Sequence, residues 1–263
     1  MTGGAAPAQN INQRARMPRI DFTSHRLFID APLGAGRHIG LDRAQANYLL
    51  NVLRLKDGTG LLIFNGCDGE WRATIQPDGR KSATLRVEEQ VRPQPAQRDL
   101  HYLFAPLKHA RLDYMVQKAV EMGASHLRPV LTRRTQATRI NLERMRANVV
   151  EAAEQCGILN LAAIEPEITL EALLADWPPG RWLVFCDEDA DVVDPVAALQ
   201  PARGASQIAV LIGPEGGFDE AERRALVALP NIVRLSLGPR ILRADTAAVA
   251  ALALVQAVAA TSA

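Results

Sequence analysis

Residues Ala209–Glu222 read AVLIGPEGGFDEAE, an apolar run that stops at Gly213-Pro214-Glu215-Gly216-Gly217 and passes at once into a helix start. An aliphatic run bounded by glycine and proline fits a fully buried strand. Asp219, with Glu222 three residues later, is an acidic version of the capping box that opens a helix. Glycines let backbone approach a ligand closely, and a glycine loop before a helix often holds phosphate. Here Glu215 stands inside the loop, and no G-x-x-x-x-G-K-[ST] occurs anywhere in the chain. A neutral or cationic ligand suits this loop better.

The same pattern recurs on both sides of it. Trp182–Glu188 (WLVFCDE) and Asn231–Leu242 (NIVRLSLGPRIL) are apolar runs that end in acid, glycine or proline. A second glycine loop, Ser236–Ala247 (SLGPRILRADTA), leads into an apolar helix that Asp245 or Thr246 can cap. That helix, DTAAVAALALVQAVAA, is apolar on nearly every face, which suits burial in the core or in a subunit interface. Upstream, LHYLFAPL reads as a strand, and HARLDYMVQKAVEMGA as a helix with Leu112, Met115, Val116, Ala119 and Val120 on one face and Gly123 as its stop. HLRPVLT and the helix NLERMRANVVEAAEQCG follow, with Asn141 at its start and Gly157 just past its end. Alternating strands and helices predict an α/β domain with a parallel sheet, whose ligands bind outside the carboxyl ends of the strands.

Before residue 96 the pattern differs. HRLFID, GLLIFNG, EWRATIQ and SATLRVEEQV are short strands, with PDGR as a hairpin turn, and LDRAQANYLLNVLRL is one helix with Asp42 as N-cap. This predicts a small β-barrel of the kind that binds oligonucleotides. GAGRHIG (Gly34–Gly40) has the wrong glycine spacing for a dinucleotide loop and is read as a barrel loop, and Trp71 as a core residue. The proline-rich RPQPAQ (Arg92–Gln97) is the linker, which divides the chain into a disordered segment 1–22, a barrel domain 23–95 and an α/β domain 96–263. Met17 is an alternative start.

Composition bounds the function. At 263 residues and 48% hydrophobic the chain can fill two modest cores, and no run has the eighteen or more apolar residues of a membrane span. With no secretory h-region the expected location is cytoplasmic. Cys67, Cys156 and Cys186 form no C-x-x-C pair and the five histidines no H-x-x-x-H pair, so neither a metal nor a disulfide framework is expected. A net charge of +1 hides segregation: six arginines against Glu143 between Arg128 and Arg146, and nine acids against Arg181 between Glu165 and Asp194. The basic stretch is suited to phosphates, or is a solvated face.

LIGPEGGF, LSLGPRILRADTA, EAAEQCG and QKAVEMGA together resemble the bacterial 16S ribosomal RNA uridine-N3 methyltransferase family of the knotted (SPOUT) methyltransferase superfamily, from about His25 onward. The resemblance implies a PUA-like RNA-binding barrel and an α/β domain with a deep trefoil knot, an exception to the rule against threaded loops. It implies S-adenosylmethionine as cofactor, held by Leu211, Gly213, Glu215 and Gly217 on one wall and Leu237, Gly238, Ile241 and Leu242 on the other. It also implies 16S RNA of the small ribosomal subunit as substrate, at a uridine of the decoding region, and a homodimer.

Methylation at N3 requires loss of the imide proton and tolerance of negative charge on O2 and O4. Arg243 is the candidate for stabilising that anion, Asp245 for proton acceptor or helix cap, and Glu154, within EAAEQ with Glu151 and Gln155, for a second acid in the site. Lys118 and Glu121 form a helix pair that the family would turn towards the same cleft. Arg26, Arg54, Arg133, Arg134 and Arg139 are the candidate RNA contacts. The chain departs from the family pattern at Ile158, where arginine is usual, at Ala162, where proline is usual, and at Asp245, where glutamate is usual. The alternatives are a non-catalytic RNA-binding protein, a related enzyme for another RNA nucleoside, or a phosphate-loop enzyme. The last needs a lysine near the glycines, and none is there.

Overall fold

A computed structural model describes residues 21, 23–79, 81–107, 110–136, 139–191 and 194–259. The disorder expected for 1–22 falls almost wholly outside these residues.

The first part holds β1 (Arg26–Phe28), β2 (His38–Gly40), α1 (Arg43–Asn47), β3 (Gly60–Phe64), β4 (Glu70–Pro77) and β5 (Ala83–Arg92). They form one sheet in the order β1-β3-β4-β5-β2. Residues of β4 and β5 alternate between buried and accessible, the period-2 pattern of a sheet with one covered face. Leu49, Ile63, Ile75 and Leu85 make its core, with Trp71 packed against them as expected. Asp42 caps α1 through a capping box with Gln45, and the expected single long helix continues as one π-helical stretch, Tyr48–Val52. The loop reading of Gly34–Gly40 needs correction, because His38–Gly40 pairs with β5 as an edge strand.

The second part runs β6 (Asp99–Phe104), α2 (Ala110–Glu121), β7 (His126–Leu131), α3 (Leu142–Cys156), β8 (Ala163–Ile164), β9 (Ile168–Thr169), α4 (Leu170–Ala175), β10 (Trp182–Cys186), α5 (Pro195–Ala198), β11 (Gln207–Ile212), α6 (Glu220–Val227), β12 (Ile232–Leu235) and α7 (Ala244–Ala259). Its sheet is parallel throughout, in the order β12-β10-β11-β6-β7-β8, with β9 also on β7. β11 reads as an unbroken apolar run because both faces are covered. Val210 and Ile212 face α2, α3 and α7, while Ala209 and Leu211 face Leu170, Leu173 and Leu226 of α4 and α6. α7 turns Ala248, Ala251, Leu252 and Val255 into the core and leaves Ala253 and Ala257 exposed. The expectation of a buried final helix therefore holds for one face. Asn141 caps α3, and Gly157 ends it in the left-handed conformation at φ 63°.

The two parts meet along a seam. Phe64 and Phe28 pack on Ala153 and Leu159, with Ile158 and Leu161 beside them. Ile158 is thus an apolar seam residue. Ala162 is 7% exposed and packs in the second core. Polar groups close the rest. Glu70, 1% exposed, accepts from Arg26 Nε at 2.7 Å and Arg92 Nε at 2.7 Å, and Arg92 reaches on to Gly157 O at 2.9 Å.

Candidate active site

Because β12, β10 and β11 are parallel neighbours, the three loops that leave their carboxyl ends open on the same side. They enclose a cleft of about 620 Å³, a size typical of small-molecule sites. One wall is Ile212–Glu215 with Gly217 and Phe218, the second Leu235–Ala244 with Ala247, and the third Phe185–Asp189; Asp245 does not line the cleft.

The first wall depends on glycine. Gly217 has φ 67°, and a Cβ there would lie 2.8 Å from Glu188 Oε1. Gly238, on the second wall, has φ 95°, which L side chains rarely adopt. These conformations present backbone to the cleft, as the sequence suggested.

The third wall was not among the sequence-predicted site residues, although the strand ending in Cys186-Asp187-Glu188 was legible. Asp187 is 4% exposed and tied to Arg223 Nη2 at 3.1 Å and Arg234 Nε at 2.8 Å. Burial would raise its pKa, but these hydrogen bonds outweigh it and hold the carboxyl below the usual range. Asp187 therefore joins β10, α6 and β12. Glu188 makes no hydrogen bond or ion pair among the described residues, leaving one uncompensated negative charge at the cleft.

Gly213, Glu215, Gly217, Leu237, Gly238, Ile241, Leu242 and Arg243 all line this cleft. Leu211 does not: it is fully buried in the core between β11 and the α4–α6 side, because alternate strand residues face opposite sides. Ile212 takes its place. Ile241 is 100% exposed at the rim. Arg243 is exposed, and its guanidinium has no hydrogen bond or ion pair among the described residues. Asp245 is no N-cap, since α7 begins one residue earlier, and its Oδ1 accepts from Thr246 N at 2.8 Å within the first turn.

Glu154 is corrected more substantially. Its carboxylate accepts from Phe28 N at 2.8 Å across the seam, and burial raises its pKa. It does not line the cleft. Lys118 pairs with Glu121 at 2.7 Å, an ordinary i,i+3 bridge outside the cleft.

Of the RNA candidates, Arg26 is 8% exposed and committed to Glu70, so it is withdrawn from a surface role. Arg133 pairs with Asp219 at 2.8 Å, and Arg134 donates to Gly216 O at 2.6 Å. Arg54 and Arg139 are exposed.

At the opposite end of the sheet, β6 and β7 bring the ligand atoms of Asp99, His101 and His126 within 4.8 Å of one another, a cluster that sequence spacing did not reveal. The Asp99 carboxylate is already bound by Arg181 at 2.8 and 3.0 Å and by Gln207 at 3.0 Å.

Residues 94–256 match the family model described as RNA methyltransferase domain, and 41–88 the RNA methyltransferase PUA domain. The ribosomal RNA small subunit methyltransferase E of Rickettsia conorii is 32% identical over 233 residues, covering 88% of this chain and 95% of that protein. The protein of the same name from Synechocystis is 32% identical over 83% of this chain and 73% of that one. A putative methyltransferase from Legionella pneumophila, solved with S-adenosylmethionine bound, aligns at TM-score 0.77 and 26% identity over 89% of this chain and 97% of that one.

Proposed function

Because the chain belongs to the RNA methyltransferase family, we propose that it is an S-adenosylmethionine-dependent ribosomal RNA methyltransferase that modifies N3 of a uridine in the decoding region of 16S RNA. The observation that carries this reading is the cleft at the ends of β10, β11 and β12, built on left-handed glycines and lying wholly within the matched residues. The residues fit the cofactor. The volume suits it, backbone rather than lysine lines the glycine walls, and Glu188 offers a negative charge to a cation.

When bound, S-adenosylmethionine supplies an electrophilic methyl group on a sulfonium. Gly213, Gly217, Leu237, Gly238 and Leu242 would hold it, and Glu188 would offer a negative charge to its cation. Arg243, at the cleft and without a side-chain partner among the described residues, is the proposed group that stabilises the charge developing on uridine O2 or O4 as N3 loses its proton. Asp245, two residues on, is the proposed proton acceptor. N3 lies on the Watson–Crick edge, so the base is taken unpaired or flipped out. Arg54 and Arg139 contact RNA phosphates. The deep knot, a homodimer using the exposed face of α7 and Ile241, and a cytoplasmic setting belong to the same proposal. Among the described residues no helix is long and apolar enough to cross a membrane.

The test is transfer of labelled methyl to small ribosomal subunits lacking the modification, with nucleoside mass spectrometry and Arg243→Ala in parallel. The expected product is 3-methyluridine, with transfer by the variant reduced by about a hundredfold or more and cofactor binding retained. Label on another nucleoside would overturn the N3-uridine assignment. Binding without transfer, to subunits or free 16S RNA, would overturn the substrate, and absence of binding the enzyme itself.

A further inference from the structure

Two arginines of the basic segment after β7 spend their charges within the protein. Thr132 and Thr135 close a turn, with Thr132 N donating to Thr135 Oγ1 at 2.8 Å and Thr135 N to Thr132 O at 3.1 Å. That turn sends Arg133 and Arg134 towards the first glycine loop. Arg134 Nη1 donates to Gly216 O at 2.6 Å, and its Cδ and Cβ pass 3.6 and 3.8 Å from where a Cβ on Gly216 would stand, so the side chain lies along the loop. Arg133 pairs with Asp219 at 2.8 Å, while its backbone N–H donates to Glu222 Oε1 at 2.8 Å. Asp219 and Glu222 are the two members of the α6 capping box. From another side, Arg111 of α2 approaches Glu215 Oε1 to 3.8 Å.

The loop has little to hold it otherwise. Among the described residues, the backbone within Gly213–Gly217 makes one turn bond, Gly217 N to Pro214 O at 2.9 Å. Glycines carry the largest conformational entropy of any residue, so a loop that contains three of them keeps one shape only when it is tied from outside. A charge-assisted bond from a guanidinium to a carbonyl is among the stronger ties available.

We propose that Arg134 is a positioning residue for the cofactor wall: by holding the Gly216 carbonyl it fixes the peptide unit between Gly216 and Gly217, and with it the face that the loop offers to S-adenosylmethionine. Its charge is used for the cofactor site and not for RNA phosphate. This rests on the cofactor reading above.

The test uses the full chain with Arg134→Ala and Arg134→Lys, whose thermal midpoints and circular dichroism establish that they fold. Equilibrium binding of S-adenosylmethionine without RNA is measured beside filter binding of a 16S RNA fragment and its salt dependence. In Arg134→Ala the cofactor dissociation constant is expected to rise about tenfold or more, as loss of a charge-assisted bond predicts. RNA affinity and salt slope stay unchanged, and Arg134→Lys recovers part of the loss. Weaker RNA binding with a lower salt slope and unchanged cofactor affinity would make Arg134 a phosphate contact and overturn the proposal, as would two unchanged affinities. Amide exchange of residues 213–222 in ligand-free protein is the second readout, and it should quicken in Arg134→Ala. Quickened exchange in a protein whose parent binds no cofactor would leave the tether standing and remove the enzymatic reading. Unchanged exchange would remove the tether.

Discussion

Replacing Glu70 by glutamine should be among the most damaging single changes outside the cleft. Its carboxylate is 2% exposed and faces Arg26, 4% exposed, and Arg92, 13% exposed, each at 2.7 Å. Glutamine keeps the shape but removes the negative charge, leaving two buried guanidinium groups facing one another across a neutral amide. Removing one partner of a buried ion pair costs about 3–5 kcal/mol, and here two cations are orphaned, so the upper half of that range applies. Domain stabilities are about 5–15 kcal/mol, so such a loss is a large share of the whole. Arg92→Met is the control. It leaves the Arg26–Glu70 pair in place and should cost less, through the lost bonds to Glu70 and to Gly157 O, because no buried cation is left unpaired. Urea unfolding followed by tryptophan fluorescence and circular dichroism reads the effect, with the slope compared between variants to confirm that the same surface is exposed. Because the triad borders the seam, the two probes should also separate in Glu70→Gln, the first part melting earlier. A loss below about 1 kcal/mol, with coincident probes, would refute the reasoning, since that is the range of a pair screened by water.

Two further outcomes follow from residues already described. Gly217→Ala places a non-glycine residue at φ 67° with its Cβ 2.8 Å from Glu188 Oε1. Its stability should fall by about 1–2 kcal/mol, and calorimetry should show S-adenosylmethionine binding weakened by at least about tenfold; unchanged affinity would remove the loop from the cofactor site. His101 has its pKa lowered to about 4, first by burial and then by the nearby Arg181 and His126, against an unfolded value of 6.5. The folded state then binds fewer protons than the unfolded state between these values, so stability present above pH 6.5 is lost as pH falls towards 4. Urea midpoints across that window should decline in the parent and flatten in His101→Gln, and parallel profiles would show that His101 is not the group responsible.

The parallel architecture was legible because β6, β10 and β11 are covered on both faces, and such strands are continuous in their apolar character. The glycine loops were legible for a related reason: few residues other than glycine can stand at φ 67° or 95° next to a cleft. Side-chain destinations were harder to read. Arg26, Arg133 and Arg134 are equally cationic in sequence, yet one is buried on Glu70 and two are bound to a loop some eighty residues away. Such pairings depend on which strand ends become neighbours, and the order β12-β10-β11-β6 is not written in any local pattern. Leu211 stands one residue before the cleft-lining Ile212, and in a strand a single residue turns a side chain from one face to the other. Glu154 shares its helix with polar neighbours, and only the arrival of Phe28 from the other part of the chain shows what it serves.

The seam between the two parts has a metric consequence. Apolar packing of Phe28 and Phe64 on Ala153 and Leu159, together with the bonds Phe28 N to Glu154 and Arg92 to Gly157 O, opposes sliding and hinging alike. Two surfaces joined in this way act as a calliper with a set gap. If the small sheet grips one segment of the substrate while the cleft receives a nucleotide from another, an RNA satisfies both only when its fold holds those two points at the matching separation. Selection then operates on the shape of a folded particle, and an unfolded strand carrying the same bases would be passed over.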